Sequence, residues 1–246
     1  GQVIKLAHRQ GETDLVFWNG MFFLLATCEI PDPEPRDVET ALGVDLGVTN
    51  IATTSDGDVL TSAPVERNRQ RMQQLRSNLQ ARGSLSAKRH LRKLAGRQRS
   101  FQKDINHQIS KRLVAEAQRT NRAIALEDLT GIRARTRARG AEQRARHSNW
   151  GFAQLRQFID YKARLAGIPV VLVDPKYTSQ QCAVCGHIEK ANRRSQSEFL
   201  CCACGHAAHA DVNAAENIAL RAGVMPPIVS DASALASAAP ETSPRL

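Results

Sequence analysis

The chain has 246 residues, 42% of them hydrophobic and 4% aromatic, with a formal net charge of +10. No apolar run approaches the roughly 20 residues of a membrane-spanning helix, and no basic-then-apolar leader opens the sequence. The composition therefore predicts a soluble, cytoplasmic protein of one or two domains, with a core that needs no disulfide staples.

The first residue is Gly1 rather than Met, as in a fragment, a processed form or a tag remnant. Asp14–Trp18 and Met21–Leu25 flank Asn19-Gly20, a favoured type I′ turn pair, which predicts a hairpin over residues 14–28. Pro31, Pro33 and Pro35 make residues 31–37 a stiff linker, with a boundary near residue 40. Three short strands follow, over Ala41–Leu46, Asn50–Ser55 and Asp58–Thr61, the last two joined by a tight turn at Asp56-Gly57.

Residues 66–119 read as helix, broken near Gly83-Ser84 and again near Gly96. Leu91, Leu94, Phe101, Ile105, Ile109 and Leu113 recur at helical spacing. Lys and Arg fill the other faces. Residues 1–66 carry 3 Lys/Arg against 11 Asp/Glu, residues 67–146 carry 22 against 5, and residues 147–246 carry 9 against 8. Such concentration points to a polyanion-binding face, nucleic acid above all, over the alternative of a solvated helical surface. Arg89, Arg92, Lys93, Arg97, Arg99 and Lys103 are the candidate nucleic-acid contacts.

A strand is predicted over Arg122–Glu127, then an exposed, mobile, Arg-rich loop over 133–148. Trp150–Ala166 reads as a helix ended by Gly167. Ile168–Val173 is an unalternating apolar strand, expected to be buried on both faces. Val212–Arg221 is the last helix, and from Gly223 onward Pro, Ser and Ala predict disorder. The order predicts an α/β fold with a mixed sheet, its antiparallel edge followed by parallel strands joined through helices.

Four of the six cysteines fit Cys182-x2-Cys185-x15-Cys201-x2-Cys204, a spacing that reads as a zinc site. Gly186 and Gly205 follow the two pairs and let the backbone fold back toward the thiolates. Four thiolates leave no open position on Zn²⁺, so the role is structural. The alternative is disulfides or free thiols, which an intracellular setting disfavours for the former. Cys202 competes with Cys201, but the x2 spacing to Cys204 selects Cys201. Cys28 reads as a buried small hydrophobe. His187, His206 and His209 flank the site as supporting or nucleic-acid-facing groups rather than ligands.

Asp45 lies within the apolar run Ala41–Gly47, where an unpaired carboxylate costs several kcal/mol. Glu127 ends the strand Ile124-Ala125-Leu126, and Asp211 opens the last helix. Separately, Asp211 reads equally well as an N-cap and Glu127 as a solvated strand end. Brought together at strand ends, the three acids would demand Mg²⁺ or Mn²⁺. Two such ions would suit phosphodiester hydrolysis. No nucleophile elbow and no phosphate-binding GxxxxGK[ST] loop is present.

Gly43-Val44-Asp45-Leu46-Gly47, Leu126-Glu127-Asp128-Leu129, Trp150-Gly151-Phe152, Asp174-Pro175-Lys176-Tyr177-Thr178-Ser179-Gln180, the four-cysteine ribbon and Ala210-Asp211-Val212-Asn213-Ala214-Ala215-Glu216-Asn217-Ile218 occur in one order. On these motifs the chain resembles the transposon-encoded TnpB (OrfB-type transposase) proteins, RNA-guided DNA nucleases related to the type V CRISPR effectors. The resemblance covers about residues 41–222. It implies an RNase H-like (RuvC-type) nuclease domain with Asp45, Glu127 and Asp211 as catalytic triad, DNA as substrate and a guide RNA as partner. It also implies a zinc ribbon inserted over 178–208, before the last helix. Residues 1–40 then read as a remnant of the family's N-terminal β-barrel (wedge) domain, and 223–246 as a disordered tail. Two other readings remain: a catalytically inactive, truncated nucleic-acid-binding protein, and an enzyme that joins transposon ends. The last lacks a tyrosine-nucleophile site, since the chain has two Tyr and Tyr177 lies in the segment leading into the ribbon.

Overall fold

Strand β3 (Ala41–Asp45) forms because its short apolar residues suit a strand covered on both faces. Leu42 and Val44 point to one face, Gly43 and Asp45 to the other, by the two-residue period of a strand. β4 (Asn50–Thr54) and β5 (Val59–Thr61) fold back against it as antiparallel neighbours. β6 (Ala123–Glu127) and β7 (Val170–Val173) extend the sheet on the other side of β3 as parallel strands. The five-stranded order is β5-β4-β3-β6-β7. These positions come from a computed structural model, which describes residues 6–18, 20–130 and 151–223.

Between β5 and β6 lie α1 (Ala63–Arg82) and α2 (Leu85–Thr120), separated by a left-handed turn at Gly83. α2 runs unbroken for 36 residues, about 54 Å at 1.5 Å per residue. The break expected near Gly96 does not occur. A glycine inside a helix costs only about 1 kcal/mol, less than the packing of Leu94 on one side and Ile109 on the other supplies. The C-terminal half of α2 (Ile109, Leu113, Val114, Ala117) and α3 (Phe152–Leu165; Leu155, Ile159, Ala163) cover the Leu42/Val44 face. Helix α4 (Ala210–Ala222) covers the opposite face with Ile218 and Ala222, against Ala123, Ala125, Val171 and Val173.

β7 alternates half-buried and buried positions rather than being enclosed on both faces, because it is the edge of the sheet. α4 begins at Ala210, two residues earlier than expected, because His209 caps it. Before the main sheet, β1 (Arg9–Trp18) and β2 (Met21–Cys28) form a separate antiparallel hairpin. The expected hairpin is thus present and longer. Its turn residue Asn19, the loop 133–148, Trp150 and the tail from 224 onward lie outside the described residues. Cys28 is half-buried rather than buried. No helix among the described residues is long and apolar enough to cross a membrane.

Candidate active site and metal centre

The parallel register aligns Val44 with Leu126, so the next residue on each strand, Asp45 and Glu127, sits at the same edge of the sheet. Both share the parity of the α4-facing residues Gly43 and Ala125. Asp45 is the last residue of β3 rather than its centre. Asp211 arrives from α4, where it is buried in the first turn. It is not the N-cap: the His209 ring Nδ1 accepts the Asp211 backbone N–H at 3.3 Å.

α4 reaches the sheet through a seam of small residues. A Cβ at Gly43 would lie 1.9 Å from the Ala215 carbonyl oxygen and 2.7 Å from the Ala219 nitrogen. Only glycine permits that approach. Asp211, Ala215 and Ala219 are four residues apart, on one helix face.

Three side chains hold the acids. Asn50, at the start of β4, donates its amide to Asp211 Oδ2 at 2.9 Å. Arg193, from the cysteine-bearing insert, donates to Asp211 Oδ1 at 3.0 Å. The Thr178 hydroxyl donates to Glu127 Oε1. Burial, then the charges of Glu127 and Asp211, push the Asp45 carboxyl up to about 7, against the pull of Arg193. Burial also raises Glu127, opposed by the Thr178 hydrogen bond and the Arg221 charge. A carboxyl raised in this way signals a site short of positive charge. Sequence reasoning missed Asn50, Thr178 and Arg193. Thr178 stood within a quoted motif, whereas nothing in Asn192-Arg193-Arg194 distinguishes the arginine that turns inward.

The four cysteine sulfurs lie within 4.8 Å of one another, the one such ligand group among the described residues. The carboxylate oxygens of Asp45, Glu127 and Asp211 do not all fall within that span. Sulfurs Cys182–Cys204 and Cys185–Cys201 are 3.7 and 3.5 Å apart, close to the edge of about 3.8 Å of a tetrahedron built on 2.3 Å Zn–S bonds. The two halves are built alike. Gly186 N–H bonds the Cys182 carbonyl and Gly205 N–H the Cys201 carbonyl. Both glycines have left-handed φ, 75° and 74°. The Cys201 thiol is drawn down to about 6, first by the Cys204 backbone N–H and then by that of Ala203. Cys185 rises to about 12: the His187 N–H favours its thiolate, but hydrogen bonds with the neighbouring sulfurs and burial outweigh it. Four sulfurs this close share protons until a cation replaces them, so the donor set fits a thiophilic metal. Cys202 is exposed and outside the cluster; its backbone N–H bonds buried Asn192. His187 pairs with Glu189, and His206 keeps a buried, unpartnered Nε2.

A side-chain stripe on α4 holds this insert to the sheet. Asn213 bonds the Ala183 N–H and the Gln181 carbonyl. Asn217 bonds the carbonyls of Thr178 and Gln181. Arg221 bonds those of Asp174 and Lys176. Arg89, Arg92, Lys93, Arg97, Arg99 and Lys103 are all exposed on the N-terminal half of α2. Of the six, Arg99 and Lys103 line a cleft beside α1.

A family model described as probable transposase matches residues 26–131, and one described as the Cas12f1-like TNB domain matches residues 152–218. The CRISPR-associated endodeoxyribonuclease Cas12f1 of Sulfoacidibacillus thermotolerans is 33% identical over 77% of this chain and 48% of its own length. A TnpB-like protein of Methanocaldococcus jannaschii is 30% identical over 75% of this chain and 69% of its own. The putative RNA-guided DNA endonuclease InsQ of Escherichia coli is 32% identical, over 72% and 48%. A solved Cas12f1–sgRNA–target DNA complex superposes with a TM-score of 0.57 at 19% identity, covering 84% of this chain and 55% of that one. A CRISPR-Cas12f ternary complex gives 0.60 at 20% identity, covering 80% and 42%. The chain spans about half the length of several curated relatives it matches. With two family models along its length, a TnpB-like relative covered over two thirds and a shared α/β fold, the chain belongs to the TnpB (OrfB) transposase family, to which proteins named Cas12f are similar.

Proposed function

We propose that this chain carries the catalytic portion of a metal-dependent DNA endonuclease, guided by RNA in its longer relatives. The observation that carries the reading is the placement of Asp45 and Glu127 side by side on adjacent parallel strands, with Asp211 brought onto the same face by α4. The sheet order, three antiparallel strands followed by two parallel ones, supports reading the domain as RNase H-like (RuvC-type).

Mg²⁺ or Mn²⁺ would supply an activated water and stabilise the leaving oxygen, and a pair of ions about 4 Å apart spans a wider set of acids than one ion does. Asp45, Glu127 and Asp211 would hold them. Thr178 occupies one oxygen of Glu127 and so fixes the direction of the other, while Asn50 and Arg193 take one oxygen each of Asp211. Arg193 neutralises Asp211 until cations arrive, and its planar fork is then placed to grip the scissile phosphate. Cys182, Cys185, Cys201 and Cys204 would bind Zn²⁺ in a closed, structural site that secures the segment carrying Arg193 and Thr178.

The test is cleavage of labelled single- and double-stranded DNA by the purified chain with its co-purified RNA, in Mg²⁺ and in Mn²⁺. Asp45→Asn, Glu127→Gln and Asp211→Asn are each expected to lose more than about a hundredfold, beyond the usual cost of a supporting residue. Failure of this chain to cleave in either metal, where a full-length relative cleaves, would overturn the reading. The alternative is a binding protein without turnover. The Arg193–Asp211 ion pair favours it, because one acid is already neutralised; steeply salt-dependent binding with no cleavage would establish it.

A further inference from the structure

β3 and β4 run antiparallel, and their register sets Asp45 opposite Thr53 and Val44 opposite Thr54. Residues paired across two antiparallel strands point to the same face of the sheet. Thr54 therefore turns with Val44 toward α2 and α3, and Thr53 turns with Asp45 toward α4. The two hydroxyls fare differently. That of Thr54 accepts the Asp58 backbone N–H at 3.1 Å. That of Thr53 is buried, the residue being 1% exposed, and has no hydrogen-bond partner. Among the described residues His206 Nε2 and Asn217 Oδ1 share that condition, but one lies in the cysteine insert and the other on the helix stripe that holds it. Thr53 alone of the three stands on the sheet, across from an acid. Burying a hydroxyl without a partner is destabilising, and valine, of the same shape, suits a strand equally well. The hydroxyl at this position calls for a use.

The acids show what that use is. Glu127 accepts the Thr178 hydroxyl, and Asp211 accepts Asn50 and Arg193, one on each oxygen. The Asp45 carboxyl lies within the field of Arg193 but accepts no hydrogen bond among the described residues. An unpaired donor and an unpaired acceptor thus leave neighbouring strands from facing positions, toward the same side. The Cβ atoms of such a pair are about 5 Å apart, so rotation about χ1 of either side chain brings the hydroxyl to a carboxylate oxygen. A cation held among Asp45, Glu127 and Asp211 would draw one oxygen of Asp45 to itself and leave the other to be steadied.

We propose that Thr53 is the positioning residue of Asp45: its hydroxyl donates to one carboxylate oxygen when the site takes up Mg²⁺ or Mn²⁺, and so aims the other oxygen at the ion. Each of the three acids then has a donor behind it, Thr178 for Glu127, Asn50 for Asp211 and Thr53 for Asp45. The inference rests on reading the acids as cation ligands, and it adds the residue that orients the one acid left without support. Thr53 acts through Asp45 and touches neither ion nor substrate.

The experiment is Mn²⁺ binding to the full chain, stripped of co-purified nucleic acid and followed by electron paramagnetic resonance. Mn²⁺ prefers carboxylates to the thiolates of the four cysteines, and Asp45→Asn identifies the part of the signal that belongs to the acids. Thr53→Val is expected to weaken that binding about tenfold, the usual loss when a ligand's supporting partner is removed. In metal-free buffer the same variant is expected to melt no lower than wild type, because the group it lacks had no partner. Thr53→Ser keeps the hydroxyl and is expected to bind Mn²⁺ within about threefold of wild type, short of the loss of a supporting group. It is expected to melt lower, because it gives up a buried methyl. A threonine retained for packing alone would make the less stable variant the weaker binder; here the order is reversed. Cleavage by Thr53→Val is expected to need about tenfold more Mg²⁺ for half its maximal rate. Wild-type Mn²⁺ affinity in Thr53→Val, an equal loss of affinity in Thr53→Ser, or a metal-free Thr53→Val that melts below Thr53→Ser would each overturn the proposal. Mn²⁺ binding that depends on Thr53 with no cleavage by any form would refute the nuclease reading alone. Cleavage whose Mg²⁺ requirement Thr53→Val leaves unchanged would refute the positioning role alone, and Mn²⁺ binding that Asp45→Asn leaves intact would refute both.

Discussion

Gly43 governs the acidic site without carrying any chemistry. Its missing Cβ is what lets the Ala215 carbonyl rest on β3. Gly43→Ala is expected to destabilise the fold by at least the roughly 1–3 kcal/mol of an overpacked core, read by urea denaturation. Because the contact is backbone on backbone, α4 must move as a body, so cleavage is expected to fall at temperatures where the variant is still folded. Gly96 is the contrast. A Cβ there meets nothing within 4 Å, and it sits inside α2, so Gly96→Ala is expected to stabilise by up to about 1 kcal/mol. Asn50→Ala and Thr178→Val each free one acid to turn, and cleavage is expected to drop about 10- to 100-fold with little change in melting temperature. The pH response follows from Asp45. Its carboxyl titrates near 7 in the metal-free fold against 3.8 ordinarily. The folded chain thus holds a proton the unfolded chain has lost, and metal-free stability falls as pH rises from about 4 to 7, by at most about 1.4 kcal/mol per unit. On the proposed reading Mg²⁺ takes that proton's place. The melting-temperature gain on adding Mg²⁺ is therefore expected to be larger at pH 8 than at pH 6.

Among the elements, the strands were the most legible. Ala41–Asp45, Asn50–Thr54 and Ala123–Glu127 fall within one residue of their sequence-based bounds, because short apolar runs between turn residues have few other ways to fold. The helix stop at Gly83 was legible for the same reason. Gly96 was over-read, since a glycine without a following turn or proline does not end a well-packed helix. The inward turn of Arg193 was not legible, because it depends on buried Asn192 beside it, whose amide bonds the Gln180 and His187 carbonyls and so orients the whole segment. That tertiary contact leaves no periodic trace. The α4 stripe of Asn213, Asn217 and Arg221 makes the insert and the acid site one unit. Chelation of metal from the four cysteines is expected to raise hydrogen exchange over 178–208 and the first turn of α4, while β3 and β6 stay protected. Asn213→Ala/Asn217→Ala is expected to reproduce part of that pattern with the cysteines intact, at about 1 kcal/mol per lost hydrogen bond.

Across the whole molecule, charge and apolar surface are segregated. The cationic side chains concentrate on α1 and α2, whereas β1–β2 displays Phe17, Trp18, Met21 and Phe22 at 57–71% exposure. Phe17 and Phe22 pair on one face of the hairpin and Trp18 and Met21 on the other, and so much exposed apolar surface is uncommon on a monomer. Phe17→Ser/Phe22→Ser is expected to reduce binding of an apolar dye such as ANS without lowering the melting temperature of the main sheet, which the hairpin does not join. The order of elements has one more consequence. Two acids stand on β3 and β6, but the third arrives with α4, after the cysteine insert has been traversed. A nascent chain emerging from the ribosome can assemble the sheet while its set of three acids is still incomplete. Only when the final helix docks over Gly43 do the three acids share one face, so on the proposed reading a half-made protein lacks the third metal-holding acid.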